Sequence, residues 1–141
     1  MKLSVLINNY NYGRFLGPCI DSVLSQTYPD FEVVVVDDGS TDDSREILAS
    51  YGDRILAVLK ENGGQASSFN AGFAAASGDI LFLLDADDTF LPGKLARIKR
   101  RVLVEHEIGI RFETAARRDL GGAEPGIEAR LYKQHLLALL A

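Results

Sequence analysis

Apolar residues follow two rhythms along this chain. Residues 3–7, Leu-Ser-Val-Leu-Ile, form a short apolar run stopped by Asn8-Asn9, which predicts a first strand. The pairs Phe15/Leu16, Cys19/Ile20 and Val23/Leu24 then recur every four residues and put one apolar stripe on a helix. Tyr28-Pro29-Asp30 breaks that helix. Residues 31–36 are nearly continuous and β-branched, as suits a strand buried on both faces of a parallel sheet. Asp37-Asp38-Gly39-Ser40 is a turn into a second helix, where Asp43 and Glu46 have the spacing of a capping box. Residues 54–59 predict a third strand, Gly63-Gly64 a tight turn, 65–76 a helix lined with small residues, and 79–84 a fourth strand. Leu91, Leu95, Ile98 and Val102 mark the inner face of a last helix, begun by Pro92 in its first turn.

Strands alternating with helices predict an α/β fold, a mostly parallel sheet with right-handed crossovers. Ligands of such sheets bind beyond the carboxyl ends of the strands. The polar clusters obey that rule, since 8–11, Asp37/Asp38, 62–65 and Asp85/Asp87/Asp88 each follow a strand. After about Arg101 the pattern changes. Gly109, Gly121-Gly122 and Pro125-Gly126 interrupt the chain, and only 127–140 reads as an amphipathic helix. The division expected is therefore a domain at 1–101 and a divergent, mainly helical tail at 102–141.

Composition narrows the function classes. With 141 residues, 47% hydrophobic and 25% charged, the chain can bury a real core. A net charge of −5 argues against nucleic acid as a partner, which asks for a basic face. Cys19 is the one cysteine, so no intrachain disulfide can form, and the apolar run at 3–7 is too short for a signal peptide or membrane span. The expected location is cytoplasmic.

The candidate chemistry centres on Asp85, Asp87 and Asp88, clustered where an apolar strand ends. Like charges a few Å apart repel, so the cluster either lies in solvent as a capping turn or meets a cation. A D-x-D at a strand end can present two carboxylates to a hard divalent ion, with phosphate and water completing its shell. Asp37-Asp38-Gly39-Ser40-Thr41 is not the DxDGT of haloacid-dehalogenase phosphatases, whose first Asp would fall at Val36. Nor does Asn8-Asn9 supply the acidic pair of a response regulator. A carboxylate in this place can instead accept from a base N–H or a ribose hydroxyl. Asn62-Gly63-Gly64-Gln65 is either an ordinary turn or a place where backbone N–H groups approach an anion at a helix N-terminus. No G-x-G-x-x-G or Walker A sequence occurs. The basic run Arg97, Lys99, Arg100, Arg101 is a solvated helix face or a phosphate or peripheral membrane contact. His106 and His135 have no metal partner at helical spacing, and Cys19 reads as a core residue.

Taken in order, "SVLINNYNYGRFLGPCIDSVLSQTYPDFEVVVVDDGSTDDS" and "NGGQASSFNAGFAAASGDILFLLDADDTFLPGKL" resemble the N-terminal half of a family 2 inverting glycosyltransferase of GT-A fold, over about residues 3–100. The resemblance implies that Asn8 and Tyr10 frame a nucleobase and Asp38 binds its N–H. It implies that Gly64 belongs to the nucleotide-sugar site and that Asp85 contacts ribose or metal. Asp87 would ligate Mn²⁺ or Mg²⁺ on the diphosphate of a UDP- or similar sugar. Asn8-Asn9 stands where many relatives carry Pro-Thr, and Ser68-Phe69-Asn70 where many carry Ala-Arg-Asn, so an arginine expected near the diphosphate is missing. Trp is absent, which excludes the Gln-x-x-Arg-Trp motif of processive synthases.

The family's acceptor site and general base belong to its second half, which this chain does not show. Glu113, Asp119 and Glu124 are the acidic residues left to consider, and none sits in a context that assigns the base. Two functions are therefore expected in competition. One is an enzyme moving sugar from a nucleotide-diphosphate donor to an unknown acceptor by metal-assisted inverting displacement. The other is a catalytically incomplete nucleotide-sugar-binding module, or truncated product. A half-sheet would also leave apolar surface open to self-association.

Overall fold

The computed structural model describes residues 1–107, and the side chains of residues 1–100. The chain divides into two compact units, Met1–Ala96 and Arg97–Ala141. The first unit carries a four-stranded sheet of order β3-β2-β1-β4, from β1 (Leu3–Asn9), β2 (Phe31–Asp38), β3 (Leu56–Lys60) and β4 (Ile80–Asp85). Every pairing is parallel. The connections are α1 (Gly13–Leu24), α2 (Ser44–Tyr51) and α3 (Gly64–Ala75).

Chain direction explains the layers. From β1 through β2 to β3 the chain steps one way across the sheet, and from β3 to β4 it crosses back over β1. Right-handed crossovers then place α1 and α2 on one face and α3 on the other. Side-chain alternation agrees with this. Leu6, Val34 and Val36 form a buried cluster with Phe69, Ala71 and Ala75 of α3. Val5, Ile7, Val33 and Val35, also buried, point to the opposite face. The small residues of α3 have a use here. A Cβ on Gly72 would stand 2.2 Å from Leu6 Cδ1 and 2.9 Å from Val36 Cγ2, so the helix lies against the sheet at a distance only glycine allows.

Several expected boundaries move, each for a local reason. The third strand starts at Leu56 rather than at residue 54, because Gly52–Arg54 form a 3₁₀ turn with Gly52 at φ +53°. The last helix, α4 (Lys94–Glu107), does not begin at Pro92, since Gly93 has φ +72° and interrupts the helical path. Leu91 precedes the helix and is 69% exposed, so it is not on an inner face, whereas Leu95 and Ile98 are buried. Asp43 occupies the N-cap position of α2 but its side chain makes no capping bond. Asp42 takes that part instead, accepting from Ser44 N–H at 3.0 Å and from Gly13 N–H, the first residue of α1, at 2.9 Å. The side chain of Val102 and the helix expected over 127–140 lie outside what is described.

At the amino end of the sheet, Glu32 gathers donors from two segments. Ser4 Oγ donates to Oε1 at 2.6 Å, Lys2 Nζ stands 2.6 Å from Oε2, and Ser77 donates through N–H and Oγ. Burial pushes the Glu32 pKa up, but Lys2, Ser4 and Ser77 outweigh it and hold the carboxyl at about 2. The unfolded chain therefore takes up this proton first as the pH falls, and the native state loses stability between the ordinary value of 4.5 and about 2. Thermal melts should show Glu32→Gln less stable than the wild type at pH 7. That gap should narrow as the pH drops through the same window and vanish near its lower end.

Candidate functional site

The loop leaving β1 feeds α1 on one face of the sheet, whereas the loop leaving β3 feeds α3 on the other. A crevice opens where such loops part, at the carboxyl edge. In this structure a cleft of about 550 Å³ lies there, lined by Asn8, Tyr10, Tyr12, Asp38, Asn62, Gly64, Gln65, Asp85, Ala86 and Asp87. Every residue expected in the nucleotide-sugar and metal sites is on this wall. Asp88 is exposed and lies off it.

Strand alternation separates the two adjacent aspartates. Asp37 faces α2, fully buried, and its Oδ2 pairs with Arg45 Nε at 3.0 Å. It also accepts from Asn9 Nδ2 at 3.0 Å and from Ser40 N–H at 3.1 Å. Asp38 faces α3 instead. Its Oδ1 accepts from Lys60 Nζ and from Gly63 N–H at 3.0 Å, and its Oδ2 from Gly64 N–H at 2.8 Å. Burial pushes the Asp38 pKa up, but Lys60, Gly63 N–H and Ser68 outweigh it and leave it below the usual carboxylate range. The amides of the glycine turn thus face an anion, as the sequence suggests, but that anion is Asp38 itself.

Tyr10 and Tyr12 reach the cleft because the chain reverses between them. Asn11 has φ +57°, a conformation that asparagine adopts more readily than other side-chain-bearing residues. Its Oδ1 accepts from Thr41 N–H at 2.7 Å, and its own N–H donates to Ser40 Oγ at 2.9 Å. The loop after β1 is therefore fastened to the loop after β2. Both rings stay open to solvent, at 47% for Tyr10 and 45% for Tyr12. Tyr12 is a wall residue that sequence reasoning missed, although its place two residues beyond Tyr10 was a usable signal. On the same wall, Asn8 Oδ1 is buried with no hydrogen-bond partner.

The acidic turn is held from below by one face of α1 and by Gln26 just beyond its end. Cys19 Sγ lies 3.6 Å from Asp85 O, Ser22 Oγ accepts from Phe90 N–H at 2.9 Å, and Gln26 Oε1 accepts from Leu95 N–H at 3.2 Å. Asp88 N–H closes the turn onto Asp85 O at 3.0 Å. Burial pushes the Cys19 thiol up to about 12, with Asp88, Asp87 and Asp85 adding to the effect, so the negative field of the turn is felt inside the core.

Whether this turn suits a cation is decided by its donors. Among the described residues no three His, Cys, Asp or Glu side chains form a metal cage. Asp85 and Asp87 supply two hard oxygen donors on an open wall. That set fits Mg²⁺ or Mn²⁺, which bind through one or two carboxylates and complete their shell with water and phosphate oxygens.

Residues 4–117 match the family described as glycosyl transferase family 2. This chain belongs to that family. The match continues past Arg101, beyond the last motif legible in the sequence. An uncharacterized glycosyltransferase of a Nostoc species is 47% identical over 114 residues, covering 78% of this chain and 35% of its own. Among solved structures, S. aureus TarS 1–349 in complex with UDP-GlcNAc is 29% identical with a TM-score of 0.65, over 76% of this chain and 33% of that one. The mannosyltransferase PcManGT from Pyrobaculum calidifontis, in complex with GDP-Man and Mn²⁺, is 27% identical with a TM-score of 0.59, over 67% and 30%. The parallel sheet with flanking helices is thus the GT-A architecture. The chain spans about a third of the length of these relatives. No helix among the described residues is long and apolar enough to cross a membrane.

Proposed function

We propose that this chain holds the nucleotide-diphosphate-sugar donor of a glycosyl transfer, with the base at Asp38 and the diphosphate at the Asp85–Asp87 turn. The observation that carries this is convergence. Asn8, Tyr10, Asp38, Gly64, Asp85 and Asp87 come from separate segments and share one cleft at the carboxyl edge. The donor complexes of the TarS and PcManGT structures, on the same fold, support the reading.

Each residue then has a task its geometry suits. Asp38, ionised and fixed in place, accepts a base N–H in a charge-assisted hydrogen bond. Tyr10 and Tyr12 offer apolar ring faces to the base. Asn8 Oδ1, an acceptor without a partner, takes a hydroxyl or N–H of the ligand, since a buried acceptor left unmade is costly. Asp85 and Asp87 would hold Mn²⁺ or Mg²⁺, which when bound supplies Lewis-acid stabilisation to the leaving diphosphate. The displacement proposed is a single inverting step, in which an acceptor hydroxyl must lose its proton to a base.

One observation favours a second reading, a donor-binding module without turnover. The carboxylates on the described wall are Asp38, Asp85 and Asp87, and all are committed to the donor. The residues considered for the base, Glu113, Asp119 and Glu124, lie outside the described residues.

Calorimetric titration of the 141-residue chain with UDP and GDP, with and without Mn²⁺, tests the shared donor site. Binding that requires the metal is expected. Absence of any nucleoside-diphosphate binding with Mn²⁺ present would refute it. Transfer assays with the bound donor across acceptors then separate enzyme from module.

A further inference from the structure

We infer that Lys60 is a positioning residue for base recognition, acting through Asp38 without touching the ligand. The inference rests on the reading of Asp38 as the acceptor of the base N–H. Its structural ground is register. Asp38 of β2 is paired with Lys60 of β3, so the two side chains leave the sheet on the same face, side by side. Lys60 Nζ binds Asp38 Oδ1 and is itself anchored on Glu61 O at 2.5 Å. Lys60 is not on the cleft wall, whereas Asp38 is.

Asp38 needs such a partner. It is 3% exposed, and a buried carboxylate without counter-charge is driven towards its protonated form. A protonated acid presents its own O–H and gives up the charge-assisted acceptor that a base N–H requires. The surroundings supply little else that is positive. α3 carries no charged side chain from Gly64 to Ala75, and the loop after β1 brings Asn8, Asn9, Tyr10 and Tyr12. Glu61 follows Lys60, and Asp85 and Asp87 stand on the far wall, all of them negative. Arg45 belongs to the other face, on Asp37. Lys60 and the Gly63 amide both load Oδ1, while Gly64 N–H holds Oδ2. The carboxylate plane is thereby set before any ligand arrives.

The test compares a nucleoside with its diphosphate. Uridine and guanosine are titrated by NMR, and UDP and GDP with Mg²⁺ by calorimetry, keeping the base that the wild type binds more tightly. Lys60→Met should weaken nucleoside and nucleoside diphosphate by the same factor, about tenfold. Lys60→Arg should restore most of that loss. In an Asp38→Asn background, Lys60→Met should add nothing, because the path it acts through is already cut. The inference is overturned if Lys60→Met spares the nucleoside and weakens only the diphosphate, which would make Lys60 a phosphate contact. Unchanged affinity, or an undiminished loss in the Asp38→Asn background, overturns it equally. If the wild type binds no probe, the donor-site reading itself fails, a result distinct from any variant effect.

Discussion

Asp87→Ala should remove metal-dependent nucleoside-diphosphate binding while leaving the fold intact. Asp87 is exposed and stands at the tip of a turn whose backbone is fastened by Asp88 N–H and by α1. Its carboxylate supports no packing, so thermal melting of the variant should match the wild type. The ligand effect is large because Asp85 and Asp87 are the acidic donors of the turn on the cleft wall, and losing one halves that set. Metal contributions of several kcal/mol correspond to a loss of ~10²–10³-fold in Mn²⁺-dependent affinity. Calorimetry with and without Mn²⁺ reads this directly. Wild-type affinity in Asp87→Ala would place the cation elsewhere.

Alanine at Asp37 and at Asp38 should produce opposite phenotypes, although the residues are adjacent. Asp37→Ala leaves Arg45 without its partner and frees the donors of Asn9 and Ser40 in a buried place. Breaking a buried ion pair typically costs 3–5 kcal/mol, and with Arg45 half exposed the loss expected is about 3 kcal/mol in urea denaturation. Asp38→Ala removes the carboxylate partner of Lys60 as well, but Lys60 Nζ keeps its bond to Glu61 O, and the Gly63 and Gly64 amides belong to exposed residues that water can reach. Its stability should fall by only ~1 kcal/mol, while nucleoside-diphosphate affinity falls at least ~10-fold. Equal destabilisation with binding intact in both variants would contradict the assignment of the two side chains to opposite faces.

Much of this site was legible because parallel strands write their ends in plain composition. The apolar runs at 3–7, 31–36 and 79–84 each stop at Asn or Asp, and the sheet places those stops on one edge. What stayed hidden depends on distances between segments. The spacing of Asp43 and Glu46 suggests a capping box, but the start of α1 lies beside this turn and Asp42 serves both helices. Pro92 carries a helix-start signal that the left-handed Gly93 overrides. Lys60 looks like any strand-end lysine until the β2–β3 register sets it beside Asp38. Tyr12 needed the reversal at Asn11 to be counted on the cleft wall.

The self-capped start of α3 gives the cleft a direction. A free helix N-terminus would compete with the acidic turn for the phosphates, and a donor could then lie either way round. With Asp38 seated on the Gly63 and Gly64 amides, those two donors are already taken and are not offered to an incoming anion. On the proposed reading, the cation and the diphosphate then belong at the Asp85–Asp87 turn. Under that reading, a nucleotide bound head-to-tail would set its diphosphate against Asp38 and the filled amides, so one internal hydrogen-bonded turn orients the donor before any acceptor takes part.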